Sequence, residues 1–139
     1  MDKKIIKTGQ APDPIGPYSQ AVQASGMLFI SGQVAIKPGT SELITGNIAD
    51  ETTQVMNNLK AILTEAGLGF DLVIKTTILL KDMDLFAAVN SVYGEFFESD
   101  FLEGDGPVWI TFLLVLACLR APSLLRRDAT KLTNSWAAP

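Results

Sequence analysis

Six apolar residues in the segment 50–66 recur at three- and four-residue intervals: Val55, Met56, Leu59, Ile62, Leu63 and Ala66. That spacing puts them on one stripe of an amphipathic helix, with Gly67 placed to end it and Asp50, Thr52 or Thr53 available to cap its start. A one-sided helix has to be covered, and the flanking sequence supplies strands to cover it. Before it, residues 3–8 alternate weakly, a Pro-rich loop follows at 11–17, and 18–25 and 27–33 read as two antiparallel strands joined at Ser25-Gly26. Residues 37–40, Lys-Pro-Gly-Thr, form a loop. After the helix, 70–81 is rich in β-branched residues and reads as a strand buried on at least one face. Asp82 or Asp84 then caps a second helix, with Leu85, Phe86, Val89, Val92, Tyr93, Phe96 and Phe97 inward at helical spacing. The order strands, helix, strand, helix, strands predicts an α+β fold in which two helices pack on one face of a mixed β-sheet.

At 139 residues the chain reads as a single domain spanning 1–139, large enough for one core and too small for two. A net charge of −4 with 47% hydrophobic residues belongs to a soluble globular protein. No basic N-terminal segment precedes an apolar run, which argues against secretion and for a cytoplasmic location. The apolar run 109–119 is too short to cross a bilayer, so no membrane association is expected, and it fits a buried strand or helix. Cys118 is the single cysteine, and there is no histidine. A disulfide within the chain and paired-cysteine metal sites are therefore excluded, as are Ser-His-Asp and Cys-His catalysis, HExxH proteases and zinc nucleobase deaminases. Any hydrolysis must rely on carboxylate, hydroxyl, backbone groups and bound water.

Two segments begin a site. Residues 15–20 read Ile-Gly-Pro-Tyr-Ser-Gln, a glycine-proline turn that opens a strand with polar groups at its mouth. Residues 29–33 read Phe-Ile-Ser-Gly-Gln, an apolar strand that ends on a glycine where backbone can approach a ligand. GPYSQ followed by SGQ at this separation resembles the RidA/YjgF family of small imine deaminases, and the likeness covers roughly residues 1–100. The resemblance implies a chorismate-mutase-like fold, a homotrimer with a central barrel, and active sites between subunits. It implies hydrolysis of 2-imino acids such as 2-iminopropanoate to 2-oxo acids and ammonia, with no metal or organic cofactor. On this reading Tyr18 supplies a hydroxyl at the cleft as the catalytic candidate, and backbone around Gly32 and Thr111 positions the substrate carboxylate. Asn90, in the run Phe86-Ala87-Ala88-Val89-Asn90-Ser91-Val92-Tyr93, is either a solvent-facing asparagine or, by the resemblance, part of the neighbouring wall. Two other readings stand beside the enzyme: a non-catalytic trimeric ligand-binding or interaction protein, and a ribonuclease or translation inhibitor, names the family has also carried. Nucleic acid is a poor partner on charge, because residues 1–105 hold seven lysines, no arginine and fourteen acidic residues.

The resemblance fails after residue 105. All three arginines (Arg120, Arg126, Arg127), both tryptophans and Cys118 lie beyond that point, and residues 106–139 carry four basic residues against one aspartate. Family members have Pro-Ala-Arg here, whose arginine grips the substrate carboxylate, and later Val-Glu-Ile, whose glutamate holds the attacking water. This chain reads Pro107-Val108-Trp109, with tryptophan at the arginine position, and Arg126 or a neighbour stands at the glutamate position. Residues after about Thr130 are expected to be disordered, since 133–139 contain little that would hold them down. One explanation is divergence, with Arg120, Arg126 or Arg127 supplying the cation from another place. The one we favour is that the C-terminal quarter is translated out of register relative to an ancestral gene. In that case one of the other two frames of the coding DNA spells a PAR…VEI reading, and its absence from both overturns the idea.

Overall fold

In the computed structural model, residues 2–97 are described in full and residues 109–112 as backbone. Five strands and two helices appear in the order β1 (Lys3–Ile6), β2 (Ala21–Ala24), β3 (Met27–Ile30), α1 (Ile48–Glu65), β4 (Val73–Lys75), α2 (Phe86–Gly94) and β5 (Trp109–Phe112). They form one mixed sheet of order β1-β2-β3-β5-β4. The first three strands are an antiparallel meander, and β5 runs parallel to β3 on one side and to β4 on the other. The β2–β3 hairpin is closed by Ser25 and Gly26 with φ of 52° and 74°, the pair of positive angles that matches the twist of two-residue hairpins.

Alternation along the strands separates the two faces of the sheet. Ile6, Ala21, Leu28 and Ile30 are buried and share a core with Val55, Met56, Leu59, Ile62 and Leu63 of α1 and Val89 of α2. The opposite face carries Ile5, Val22 and Phe29 in one cross-strand row, and Ile5 and Phe29 are 51% and 44% exposed. The helical stripe read from the sequence therefore lands on the sheet as expected, and the mixed sheet with two helices is observed.

The start of α1 differs from the sequence reading. Its cap is Asn47, whose Oδ1 accepts from the Asp50 backbone N–H at 2.9 Å while its Nδ2 donates to the Asp50 carboxylate. Thr52 and Thr53 cannot cap, because each hydroxyl donates back to a carbonyl four residues earlier, Ile48 and Ala49. The other end follows expectation: Gly67 sits at φ +74°, its N–H donates to Thr64 O, and the Leu68 N–H donates to Leu63 O. That pair of bonds is a Schellman closure, which needs a residue that tolerates the left-handed region.

The strand expected over 70–81 is short. Residues Phe70–Leu72 form a 3₁₀ turn, and among the described residues Val73–Lys75 pairs with β5. Phe70 is drawn inward by edge-to-face contacts with Phe96 and Phe97, at centroid distances of 5.7 and 5.2 Å. The second helix is also shorter than its apolar pattern. Asp82 caps a 3₁₀ turn over Met83–Leu85, α2 proper starts at Phe86, and Phe96 and Phe97 lie past its end. Phe86, expected to face inward, is 44% exposed: Val89, one turn on, occupies the inward position. The strands expected over 18–25 and 27–33 are trimmed to β2 and β3, since residues 18–20 and 31–33 are engaged in side-chain bonding instead. Of the apolar run 109–119, the first four residues are β5; the remainder, and the tail expectation after Thr130, lie outside the described residues.

Tyr93 and Thr76 share a hydroxyl–hydroxyl hydrogen bond of 2.7 Å between α2 and the segment after β4. Burial raises the Tyr93 hydroxyl above its ordinary pKa, and the Thr76 bond offsets part of that rise. The folded state then holds the Tyr93 proton more tightly than the unfolded chain, so this tyrosine's contribution is intact below pH 10 and falls as pH rises beyond it. Tyr93→Phe is expected to lose about 1 kcal/mol at neutral pH and to show a shallower decline in stability as pH rises above about 10. Urea titrations across that range check both signs.

Candidate functional site

The cleft lies where the loop before β2 meets the segment after β3. Its walls are Pro12 and Ile15 on the loop, Tyr18 at the turn, and Gly32, Val34 and Ile36 on the far side. Neither wall is regular structure, so each needs side chains to satisfy its backbone. On the loop side this falls to Gln20, which is 2% exposed. Its Oε1 accepts from the Thr8 N–H at 2.7 Å, and its Nε2 donates to the carbonyls of Thr8, Pro12 and Ala11 at 3.0, 2.9 and 3.3 Å. The two walls are stitched together at their base: the Ser31 hydroxyl donates to Ser19 O at 2.6 Å, and the Ser31 N–H to Gln20 O at 3.0 Å. Gln33, also buried, turns its amide back onto the carbonyls of Ser31 and Gly32.

Tyr18 stands half-exposed at the rim. Its N–H donates to Gly16 O at 2.8 Å, which folds the Gly16-Pro17-Tyr18 corner tightly. The Tyr18 ring then lies over the Gly16 α-carbon, where an added Cβ would stand 3.1 and 3.3 Å from ring atoms Cε1 and Cδ1. Any larger residue at position 16 would make the ring shift by a few tenths of an ångström. The Gly-Pro-Tyr-Ser-Gln run is one device: glycine admits the ring, tyrosine forms the rim, and glutamine anchors the loop.

Of the residues singled out from the sequence, Tyr18 and Gly32 line this cleft together. Asn90 lies on the exposed side of α2 and is not among the lining residues. Thr111 is in β5, its backbone opposite Phe29 of β3. Sequence reasoning missed Asn58, fully buried in α1, which donates to the carbonyls of Val34 and Ile36 at 3.1 and 3.0 Å. The signal was present, because position 58 falls between Val55 and Ile62 on the buried stripe.

The empty space of the cleft, counted with the part open to solvent, is about 350 Å³. Among the described lining residues the charged side chain is Asp13, paired with Lys7 at 3.2 Å near the surface. Among the described residues no group of three or more His, Cys, Asp or Glu side chains converges as a metal site, and no helix is long and apolar enough to cross a membrane. What the cleft offers a ligand is a phenolic hydroxyl, backbone near a glycine, and an apolar floor.

The family model described as endoribonuclease L-PSP matches residues 8–113, a span that contains Tyr18, Gly32, Asn90 and Thr111. A RutC family protein of Pyrococcus horikoshii is 54% identical over 95 residues, covering 68% of this chain and 75% of its own. The 2-iminobutanoate/2-iminopropanoate deaminase of Mus musculus is 46% identical over 96 residues, covering 69% and 71%. Among solved structures, E. coli TdcF with bound serine superposes with a TM-score of 0.66 at 34% identity, over 86% of this chain and 88% of that one.

The loop wall depends on Gln20 as a donor. Gln20→Glu keeps the shape but puts a carboxylate against three carbonyl oxygens, and Gln20→Leu leaves the Thr8 N–H without its partner. Each is expected to cost about 3 kcal/mol by chemical denaturation, with the glutamate variant no better than the leucine.

Proposed function

The chain belongs to the RidA/YjgF family, the endoribonuclease L-PSP family of the matching model, and on that premise we propose that it is an enamine/imine deaminase. Its substrates are small 2-imino acids such as 2-iminopropanoate. Water adds to the C=N carbon, the imine nitrogen takes up protons, and the C–N bond of the resulting carbinolamine breaks to leave a 2-oxo acid and ammonia. The observation that carries this reading is the 46% identity to a 2-iminobutanoate/2-iminopropanoate deaminase over 96 residues.

In this mechanism Tyr18 presents its hydroxyl to the reacting centre from the rim. Backbone near Gly32 and Thr111 holds the substrate carboxylate, and Asn90 belongs to the neighbouring wall. On this reading a second subunit completes the cleft. The outward row of Ile5, Val22 and Phe29 supports the same arrangement, a homotrimer whose sheets face one another around a central barrel. The reaction proceeds by addition and elimination at a single carbon and calls for no cofactor.

Trp109 favours a second reading, a non-catalytic trimeric ligand-binding protein. A charge-assisted contact to a carboxylate contributes about 1.5–3 kcal/mol, so its loss weakens binding by roughly ten- to a hundredfold. Loss of a group that activates water costs on the order of 10²–10⁴ in rate. The ribonuclease reading has the family's printed name behind it, but the acidic composition of residues 1–105 opposes phosphate binding.

The test is release of 2-oxo acid and ammonia from freshly generated 2-iminopropanoate, on protein of confirmed mass, with its oligomeric state measured by sedimentation. Turnover above the spontaneous rate by a trimer is expected. A folded trimer that binds 2-oxopropanoate without turnover establishes the second reading instead.

A further inference from the structure

The segment that carries Gly32, Val34 and Ile36 follows β3, and among the described residues no strand pairs it beyond the isolated bridge between Ile36 and Leu43. Its internal bonding is slight: the Ile36 N–H donates to Val34 O at 2.8 Å across a single residue, and Ile44 donates to Ala35 O at 2.8 Å. Two of its carbonyls, those of Val34 and Ile36, point toward α1. There Asn58, with 0% of its surface exposed, spends both amide protons on them, and its Oδ1 accepts from Gln54 Nε2 at 2.8 Å. Asparagine suits this position because two carbonyls need two donors from one point. A leucine of similar size has neither donor, and an aspartate would set a carboxylate against two carbonyl oxygens.

We propose that Asn58 is a positioning residue for the ligand cleft: through its paired bonds to Val34 and Ile36 it sets the wall that faces Tyr18, and so sets the affinity for the small 2-oxo or 2-imino acid. The inference rests on the cleft reading of the preceding subsection and deepens it. Asn58 touches no ligand itself. Gln20 fixes the loop wall and Asn58, from the helix behind it, the Val34 and Ile36 part of the opposite one.

The probe is 2-oxopropanoate, titrated into the full chain while the backbone amide resonances of Gly32 and Gln33 and the side-chain amide of Asn58 are followed. The variants are Asn58→Leu and Asn58→Asp, with Leu59→Ala as a control that removes packing from the same helix and alters no hydrogen bond to the cleft. The expected result is a dissociation constant raised tenfold or more in both Asn58 variants and within twofold of the parent in Leu59→Ala. Where turnover is measurable, the change falls on KM with kcat less affected. Unchanged affinity in Asn58→Leu, or an equal loss in Leu59→Ala, overturns the positioning role while leaving the cleft reading intact. If the parent protein binds 2-oxopropanoate without disturbing Gly32 and Gln33, or binds none, the cleft reading fails and this inference fails with it. Should neither Asn58 variant fold, the parent decides: a shift of the Asn58 side-chain amide on saturation supports the coupling, and an unmoved signal overturns it.

Discussion

The structure depends on burying the α1 stripe against the inner face of the β-meander. Val55, Met56, Leu59, Ile62 and Leu63 are each 1% exposed or less, and they meet Leu28 and Ile30 from the sheet. Burial of a side chain of that size contributes about 1.5–3 kcal/mol, so this one contact outweighs any polar interaction in the molecule. It is also non-directional and would tolerate the helix sliding along its own axis. Direction comes from the polar groups on the same face. Asn58 must meet two particular carbonyls, and the Schellman closure at Gly67 ends the helix where the chain turns back toward β4. Apolar area holds the layers together, while a few buried amides and one left-handed glycine set where the layers stop.

That division of labour explains what could be read from the sequence. The stripe of α1, the hairpin at Ser25-Gly26 and the stop at Gly67 were legible because each is a local pattern with a local cause. The 3₁₀ turn at Phe70–Leu72 was not, since β-branched residues describe a preference and the ring of Phe70 is drawn onto Phe96 and Phe97. Phe86 misled for a similar reason: helical spacing admits two neighbouring faces, and tertiary packing chose the one through Val89. The cap was sought among Asp50, Thr52 and Thr53, whereas Asn47 holds it together with Asp50, one accepting from the backbone and the other from its neighbour.

The candidate site was half legible. Gly-Pro-Tyr-Ser-Gln announces itself because every position in it has a steric or hydrogen-bonding duty within six residues or across a short loop. The opposite wall does not, because the residue that holds it is separated from it by more than twenty positions and looks like one more polar residue in a helix. Asn90 and Thr111 were named through a family resemblance, and among the described lining residues Asn90 has no place in this cleft.

Charge then becomes the deciding quantity for chemistry. A 2-imino acid carries a carboxylate, and it approaches a body whose residues 1–105 hold twice as many acidic as basic side chains. At physiological salt the field of distant charges is screened beyond about 8 Å, so overall acidity matters less than the nearest cation. Among the described residues Lys7 is the candidate, but it already faces Asp13 at 3.2 Å, which leaves little net positive potential at the rim. The family resemblance sets Trp109 at the arginine position, and on the proposed function the carboxylate is then held by backbone dipoles, by a partner subunit, or by the basic residues after 119. Backbone dipoles can orient a carboxylate, yet without a full charge they compete poorly with water for it. The fold and cleft walls of a deaminase are therefore compatible with this sequence independently of whether its catalytic power is, because the residues that shape the cleft and the residue that should charge it lie in different parts of the chain.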